Sequence, residues 1–529
     1  MAFEKREGIV NSMIDRKLWL NITIILCVSW LITFSNLGSL PLFDPDEPVY
    51  AQTALEMLQN QDFISPRIYG DFWYDKPPMY YWLVAGAFKI FGVGEFAARF
   101  PSALLAVLGS ILVYLSGRKL FNDRVGLLAA LILATSLEYF YLGKAAITDS
   151  TLTFFISGAL FAFLLRNNYM FYGCAALAVV TKGPIGVFFC GVIVALYLLF
   201  TGNLALLRRM KLFSGGAVFT VIAAPWYLIM YYYHGMDFVN TFLGFHNVIR
   251  FLQPEHATGT QWYYYIPVLI FGFFPWTAFL TQAFIAGWRE KGQEREHIMF
   301  LVIWASVVFL FFSLSQTKLV SYILPMYPPL ALLIGWYFDK AWTEKRSSVL
   351  KWSGIILGVV VVALEVALSY VGGLVMTQLV PLVKITAVFF LMLVALIWWL
   401  SYRRNFGGVF VANVIGMIFF TTFLVAQIFP VMVPAFAIKG VVNEFKQHYD
   451  GQAPVYVARF YRPGFIFYSG IAGIEFDQQE LQATLQDKND KSYFIVKKKN
   501  YENLPSSLQG KVRLLANVED KVLFVREIN

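Results

Sequence analysis

Residues 378–402 read QLVPLVKITAVFFLMLVALIWWLSY, an apolar run with a single charged residue, Lys384. Apolar positions follow one another without the in–out alternation of a membrane β-strand. The run is long enough for a helix rising 1.5 Å per residue to cross a hydrocarbon core about 30 Å thick. In lipid every backbone N–H and C=O must be satisfied within the segment, so a helix is the form such a run takes. Similar runs recur at 18–36, 98–117, 125–142, 150–165, 169–181, 184–201, 212–232, 263–286, 298–314, 320–338, 352–373 and 407–429. They predict a polytopic all-α membrane protein with about thirteen transmembrane helices. The run 169–181 is short, and Lys182-Gly183-Pro184 alone separates it from the next.

Composition agrees. Of 529 residues, 58% are hydrophobic and 14% charged, against about 25% charged in a soluble domain. Mean hydropathy is +0.60. A soluble multi-domain enzyme and a disordered chain are both excluded. Cys27, Cys174 and Cys190 all lie inside apolar runs, as small hydrophobes rather than a disulfide or metal framework. The net charge of +9 is scattered among the spans, which points to membrane topology and not to nucleic acid.

Positive charge collects in alternate loops: Arg118/Lys119/Arg124, Arg208/Arg209/Lys211, Arg289/Lys291/Arg295, Lys340/Lys345/Arg346 and Arg403/Arg404. These share a side with the N-terminus, whose first run follows Arg16 and Lys17 and reads as a retained helix. That side is predicted to be cytoplasmic. The opposite loops, 37–97, 143–149, 233–262 and 315–319, are richer in aromatics, proline and acids. Beyond about residue 435 charges of both signs become frequent. Short β-like runs appear at 455–457, 465–468, 493–496 and 522–525, with helical stretches at 437–448 and 477–486. The layout is a membrane domain, 1–434, with a long first outer loop, 37–97, and a small α/β domain, 435–529, on the outer side. There is no obvious internal repeat, and no Walker or Rossmann fingerprint.

The chemistry-bearing residues sit in the outer loops. Asp44, Asp46 and Glu47 crowd before a predicted amphipathic interfacial helix over 47–59. They are either helix caps or a general base at the membrane–water boundary. Lys76, between Asp75 and Pro77-Pro78, is a paired surface lysine or a phosphate-binding cation. Asp149 opens a helix, where it can cap. Lys182 sits between two apolar spans, where a charge needs a partner or water. Arg250 can fork onto phosphate oxygens, and Lys318 can snorkel as an anchor or face a ligand. His246, Glu255, His256 and Asp75 do not follow a recognised zinc spacing, so a divalent metal is not indicated. Cations beside aromatics between apolar spans suit a lipid phosphate: grooves for its tail, positive charge for its head group.

Asp46-Glu47-Pro48-Val49-Tyr50-Ala51, with Asp75-Lys76-Pro77-Pro78 and Tyr81-Trp82, resembles the bacterial aminoarabinose transferase and protein O-mannosyltransferase superfamily. These are membrane glycosyltransferases of the GT-C fold, in families 39 and 83. The resemblance runs through Ala97-Ala98-Arg99-Phe100-Pro101-Ser102, Thr148-Asp149, Thr181-Lys182-Gly183-Pro184, Phe273-Phe274-Pro275-Trp276 and Thr317-Lys318-Leu319 to Tyr322. It covers roughly residues 18–340. It implies a polyprenyl-phosphate sugar donor, such as an undecaprenyl phosphate sugar, and transfer with inversion to a lipid A-like glycolipid, polysaccharide or protein. It implies Asp46, Glu47 and Asp149 as catalytic carboxylates and Lys76 and Lys182 at the donor phosphate. Arg250 and Lys318 extend that cationic set, and Tyr50, Tyr74, Tyr81, His246 and Tyr322 are expected to line the substrate cavity. Where aminoarabinose transferases commonly carry Arg or another polar residue, this chain has Val49, so the acceptor is not carried over. A transporter or flippase for a lipid-linked sugar, and an envelope assembly protein, are the competing classes. The long carboxylate-bearing loop favours the enzyme, in the inner membrane, with the tail periplasmic.

The topology is testable. In a background lacking the native cysteines, Asp487→Cys is expected to react with an impermeant maleimide in intact spheroplasts. Labelling only after lysis refutes the orientation.

Overall fold

The structure, a computed structural model, describes residues 2–249, 252–253, 260–345, 347–477, 480–487 and 490–527. The chain forms two compact units. The first takes Met1–Ser35, Tyr74–Met79 and Ser102–Leu424; the second takes Asn36–Trp73, Tyr80–Pro101 and Val425–Asn529.

The first unit is helical, and every apolar run predicted to span contributes helix to the chain. Among the described residues, seven helices are long and apolar enough to cross a membrane, or nine if two bent pairs each count once. The count of thirteen is not reached by this measure. Four expected spans end as helices of 15–17 residues: α7 (Asp149–Leu164), α8 (Asn168–Lys182), α9 (Ile185–Thr201) and Tyr327–Thr343. Two others are broken. The run 125–142 becomes α5 (Asp123–Ala134) and α6 (Leu137–Gly143), bent by 66°; the run 263–286 becomes Tyr265–Gly272 and Thr277–Trp288, bent by 105°.

The two breaks support each other. At the first, Thr135 Oγ1 shares the Leu131 carbonyl (2.6 Å) with the Thr135 N–H, while Ser136 Oγ takes the Ile132 carbonyl (2.7 Å) and the Ser136 N–H turns to Leu133, which ends the α-helical ladder. At the second, Pro275 has no N–H to continue the ladder. The Leu137 N–H then donates to the Phe274 carbonyl (3.3 Å), and Trp276 Nε1 donates to Thr135 Oγ1 (3.0 Å). Backbone groups released at one bend are met by the other, as irregular backbone in an apolar interior requires. Small residues let helices approach: a Cβ on Gly335 would lie 3.0 Å from the Ala129 amide nitrogen of α5.

The second unit joins the first outer loop to the C-terminal region. It holds α2 (Asp46–Asn60), a hairpin of β1 (Arg67–Ile68) and β2 (Asp71–Phe72), α3 (Met79–Phe91) from Tyr80 on, and the first turns of α4 (Glu95–Leu120). It also holds a five-stranded sheet, ordered β4 (Ile474–Phe476), β3 (Val455–Ala458), β5 (Ser492–Lys497), β7 (Lys521–Arg526), β6 (Val512–Val518). The first three strands run parallel and the last two pairings are antiparallel. Phe494 stacks on Tyr456 at 5.0 Å and on Phe524 at 5.2 Å in its core. The predicted strand at 465–468 is instead part of a helix, Arg462–Ser469. Pro463 and Gly464 open it, Gly470 closes it in the left-handed region, and Phe465 packs on Phe445 (5.2 Å).

The expected interfacial helix is α2, but it is buried on more than an apolar stripe. Glu47, Gln52, Thr53 and Glu56 are buried with Tyr50, Ala51, Ala54 and Met57. Glu56 accepts the Tyr69 and Gly70 N–H groups at 2.8 and 3.0 Å, which fixes the hairpin turn to α2.

Arg99, near the start of α4, holds the loop that leads into α2. Its guanidinium meets Glu47 at 2.6 and 2.8 Å and donates to the carbonyls of Leu37, Leu40 and Pro41. Both charged side chains are about 95% buried. Glu47 also accepts the Phe43 N–H (2.7 Å). Asp44 accepts the Ile438 N–H (2.8 Å), and a Cβ on Gly464 would collide with its Oδ1. Burial pushes the Asp44 carboxyl well above the ordinary carboxylate range, against the pull of the Ile438 N–H and of Lys521.

Two outcomes are expected. Arg99→Ala leaves a buried carboxylate unpaired and costs about 3–5 kcal/mol of unfolding free energy. Arg99→Met combined with Glu47→Gln recovers part of that loss. A single variant within about 1 kcal/mol of wild type removes this pair as an anchor. The raised Asp44 means the folded state binds that proton more tightly than the unfolded state. Its contribution is present below the ordinary carboxylate value and is lost as pH rises. Thermal unfolding of Asp44→Asn is expected to show a flatter decline from about pH 4 towards neutrality; an unchanged slope contradicts this.

Candidate functional site

In the first unit, α7 and α8 form a hairpin closed by residues 165–167. Two helices of similar length joined by so short a turn return to the same level, so the first residue of α7 meets the last of α8. Those residues are Asp149 and Lys182. Their Oδ1 and Nζ lie 2.7 Å apart, with side chains 7% and 14% exposed. The carboxylate stands at a helix N-terminus and the ammonium at a helix C-terminus, the favourable ends for each charge. Thr148 is the N-cap of α7 and no side-chain cap bond forms there. Asp149 is thus committed to the lysine rather than to capping. The ring of Tyr322 lies 4.8 Å from Lys182 Nζ, and that ring packs 5.1 Å from Phe312.

The segment Tyr74–Met79 is held in the same unit at both ends. Tyr74 packs against His234 (5.3 Å) and Phe238 (5.8 Å) of α10 (Leu212–Phe238). Met79 packs on a cluster that includes Val179 and Val180 of α8. Between these anchors Lys76 Nζ meets Asp75 Oδ1 at 2.7 Å, both largely buried. Pro77 and Pro78 stiffen the segment, since each fixes φ. Two lysines are therefore each positioned by a carboxylate, on separate elements of one unit.

Lys318 is placed differently. Its ammonium donates to the Ser315 and Thr260 carbonyls, and Ser315 is the C-cap of the helix Gln293–Leu314. Burial lowers its pKa from the usual lysine value. Arg250 lies outside the described residues, as do Glu255 and His256. His246 belongs to a π-helical stretch, Val239–Ile249, and its side chain is outside the described set.

In the second unit three neighbouring acids have three environments. Asp44 and Glu47 are buried in backbone and guanidinium contacts, whereas Asp46, the first residue of α2, is exposed. The N-cap is Pro45, which makes no side-chain cap bond. Tyr50 packs against Tyr80 (5.4 Å) and Tyr81 (5.8 Å) inside this unit. Asp46, Glu47, Tyr50 and Tyr81 thus belong to the second unit, and Tyr74, Lys76, Asp149, Lys182, Lys318 and Tyr322 to the first.

Sequence reading passed over Glu138. It is buried in α6 and accepts a hydrogen bond from the Tyr327 hydroxyl. A Cβ on Gly272 would press on Glu138 Oε2, the Tyr327 hydroxyl and Glu138 Cβ, so a larger residue there would have to displace this pair. The available signal was a lone glutamate inside an apolar run, where an ionisable group needs a reason. Among the described residues no group of three or more His, Cys, Asp and Glu is arranged to hold a metal.

Residues 75–229 match the family model described as dolichyl-phosphate-mannose-protein mannosyltransferase. An undecaprenyl phosphate-alpha-4-amino-4-deoxy-L-arabinose arabinosyl transferase of Pectobacterium carotovorum is 31% identical over 376 residues, 68% of this chain and 66% of that one. An uncharacterized protein of Aquifex aeolicus is 31% identical over 347 residues, 64% of this chain and 67% of that one. The chain thus spans about two thirds of the length of the curated relatives it matches. The fold is similar to that of ArnT from Cupriavidus metallidurans, crystallised with undecaprenyl phosphate: TM-score 0.80 and 22% identity, covering 95% of this chain and 97% of that one. It is also similar to the archaeal oligosaccharyltransferase AglB from Archaeoglobus fulgidus in complex with an inhibitory peptide and a dolichol-phosphate, with TM-score 0.55, 13% identity and coverage of 91% and 70%. The ordered outer-loop motifs, the helical architecture and these relatives agree, and the chain belongs to the GT-C superfamily of integral-membrane glycosyltransferases that holds the aminoarabinose transferases and the protein O-mannosyltransferases.

Proposed function

We propose that this protein transfers a sugar from a polyprenyl-phosphate donor to an envelope acceptor at the outer face of the bacterial inner membrane. Residues 435–529 form its periplasmic α/β domain, and the N-terminus is cytoplasmic. An acceptor oxygen attacks the anomeric carbon from the side opposite the phosphate, forming the new glycosidic bond with inversion. The bond from that carbon to the phosphate oxygen breaks, and its electron pair leaves with polyprenyl phosphate. Asp46 takes the acceptor's proton when the acceptor is a hydroxyl, and positions it when the acceptor is already an anionic phosphate. Lys182 and Lys76 stabilise charge developing on the leaving phosphate, as compact cations in partly desolvated settings. Asp149 and Asp75 fix the two ammonium groups, and Arg250 is a further phosphate ligand. Glu47 acts through Arg99 by setting the position of α2, while Lys318 shapes the loop before Tyr322.

The observation that carries this reading is the Lys182–Asp149 pair beside Tyr322, at the ends of two apolar helices. An ammonium there fits a ligand that is anionic at the head and apolar behind it. The names of the relatives, which include undecaprenyl phosphate-linked sugar transfer, support the same substrate class.

Single-turnover transfer from a synthetic polyprenyl-phosphate sugar tests it. Asp46→Asn keeps the exposed helix start, so folding is expected to be unchanged. With a hydroxyl acceptor the rate is expected to fall by at least about 100-fold, within the usual range for a lost general base. A folded Asp46→Asn enzyme at wild-type rate removes the base from Asp46. Lys182→Ala is expected to raise the donor concentration needed for half-saturation by about tenfold or more, the scale of one charge-assisted hydrogen bond. Unchanged donor dependence makes Lys182 an anchor only.

A further inference from the structure

The opposite end of the α7–α8 hairpin is built differently from the end that carries Asp149 and Lys182. α7 has 16 residues, so its last turn lies about 24 Å along the axis from Asp149. There the turn between α7 and α8 and the short 3₁₀ helix Leu204–Arg209 after α9 border an open cleft of about 550 Å³, in which Arg166, Asn203 and Arg209 are exposed and Asn168 is half-buried. Its polar walls are Arg166, Arg209, Asn168 and Asn203, and Phe163 and Leu206 supply an apolar floor.

The walls are tied to one another. Asn168 Nδ2 donates to the Arg209 carbonyl at 2.8 Å, which joins the start of α8 to the 3₁₀ helix. The Asn167 side chain accepts the Met170 N–H (3.3 Å) and caps α8. The Asn203 N–H donates to the Leu198 carbonyl (3.1 Å) and closes the turn after α9. The charge is one-sided in sequence: no Asp or Glu occurs between Asp149 and Asp237. Glu296, from the helix Gln293–Leu314, is an acidic group that shares the surroundings of Tyr197 with Arg166.

From this geometry we propose that the cleft binds a phosphate-bearing anionic headgroup, that of an anionic phospholipid in the leaflet facing the basic loops. Two guanidinium groups offer planar donor forks that match phosphate oxygens, and two asparagine amides add uncharged donors. Asn168, the first residue of the 15-residue helix α8, also lines the site, so the positive end of that helix dipole lies beside it. Phe163 and Leu206 suit the glycerol and the first methylenes of the chains. The volume is that of an ordinary small-molecule site, and basic pockets between helices at this membrane level take anionic headgroups. The site is separate from sugar transfer, and its test does not depend on it.

The full-length protein in neutral detergent, titrated with phosphatidylglycerol or phosphatidylethanolamine and read by native mass spectrometry, decides the matter. Wild type is expected to retain phosphatidylglycerol at least about tenfold more tightly than Arg166→Ala/Arg209→Ala. Phosphatidylethanolamine, whose ammonium group meets the same guanidinium groups, is expected to bind wild type more weakly and to lose less in the variant. Arg166→Lys/Arg209→Lys keeps the charge without the fork and is expected to fall between them, which preserves the test should the alanine variant not fold. Millimolar inorganic phosphate that displaces the lipid supports the same phosphate chemistry with a soluble source; no displacement supports the lipid. Equal retention by wild type and the alanine variant overturns the site. So does an equal loss in Arg208→Ala, whose side chain is exposed and is not among the cleft residues, because binding would then reflect diffuse charge.

Discussion

The guanidinium of Arg99 is the fixed point around which the first outer loop is arranged. A buried arginine is tolerated only when its five N–H groups and its charge are answered. Here Glu47 answers the charge and the carbonyls of Leu37, Leu40 and Pro41 answer the remaining donors. The loop before α2 therefore has little freedom, because moving it would strand a cation in an apolar interior. One consequence is the position of Asp46. It precedes Glu47 by one residue, so the contact that buries Glu47 also sets where the exposed carboxylate stands. Asp44 ties this loop to the C-terminal part of the same unit, which Lys521 braces. The first binds the Ile438 N–H; the second donates to the carbonyls of Pro434 and Ala435.

In the membrane unit the governing constraint is the cost of polar groups away from water. Lys182 and Lys76 each have a carboxylate at 2.7 Å, and the bends at Thr135-Ser136 and Pro275 exchange hydrogen bonds with each other. A cation left there without a carboxylate would be costly to bury. Pairing offsets that cost and holds it in place. Such a pair suits a phosphate ligand, since it presents a positioned donor without leaving a bare charge when the ligand departs.

Parts of this were legible from residue order and parts were not. The runs at 378–402 and 407–429 declare helices because period and length are local properties. Asp149 and Lys182 were visible as separate oddities, but their contact is created by the hairpin. The predicted strand at 465–468 failed because Phe-Ile-Phe-Tyr is apolar in either period. Pro463, Gly464 and a facing Phe445 decided for helix. Likewise, nothing local in Glu138 announces Tyr327, which lies 189 residues away.

The sequence by itself determined that the chain is a membrane protein, where its apolar helices run, which loops carry the unusual charges and which family its ordered motifs resemble. Those properties depend on composition, on hydrophobic period and on short motifs. Only the tertiary structure decided which helices stay whole, which bend, and which acids are spent on the fold. Asp44, Asp46 and Glu47 look alike in the chain. Burial against Ile438 and Arg99 takes two of them and leaves the third exposed, because a carboxylate's role follows from the groups that surround it, and those groups come from distant residues.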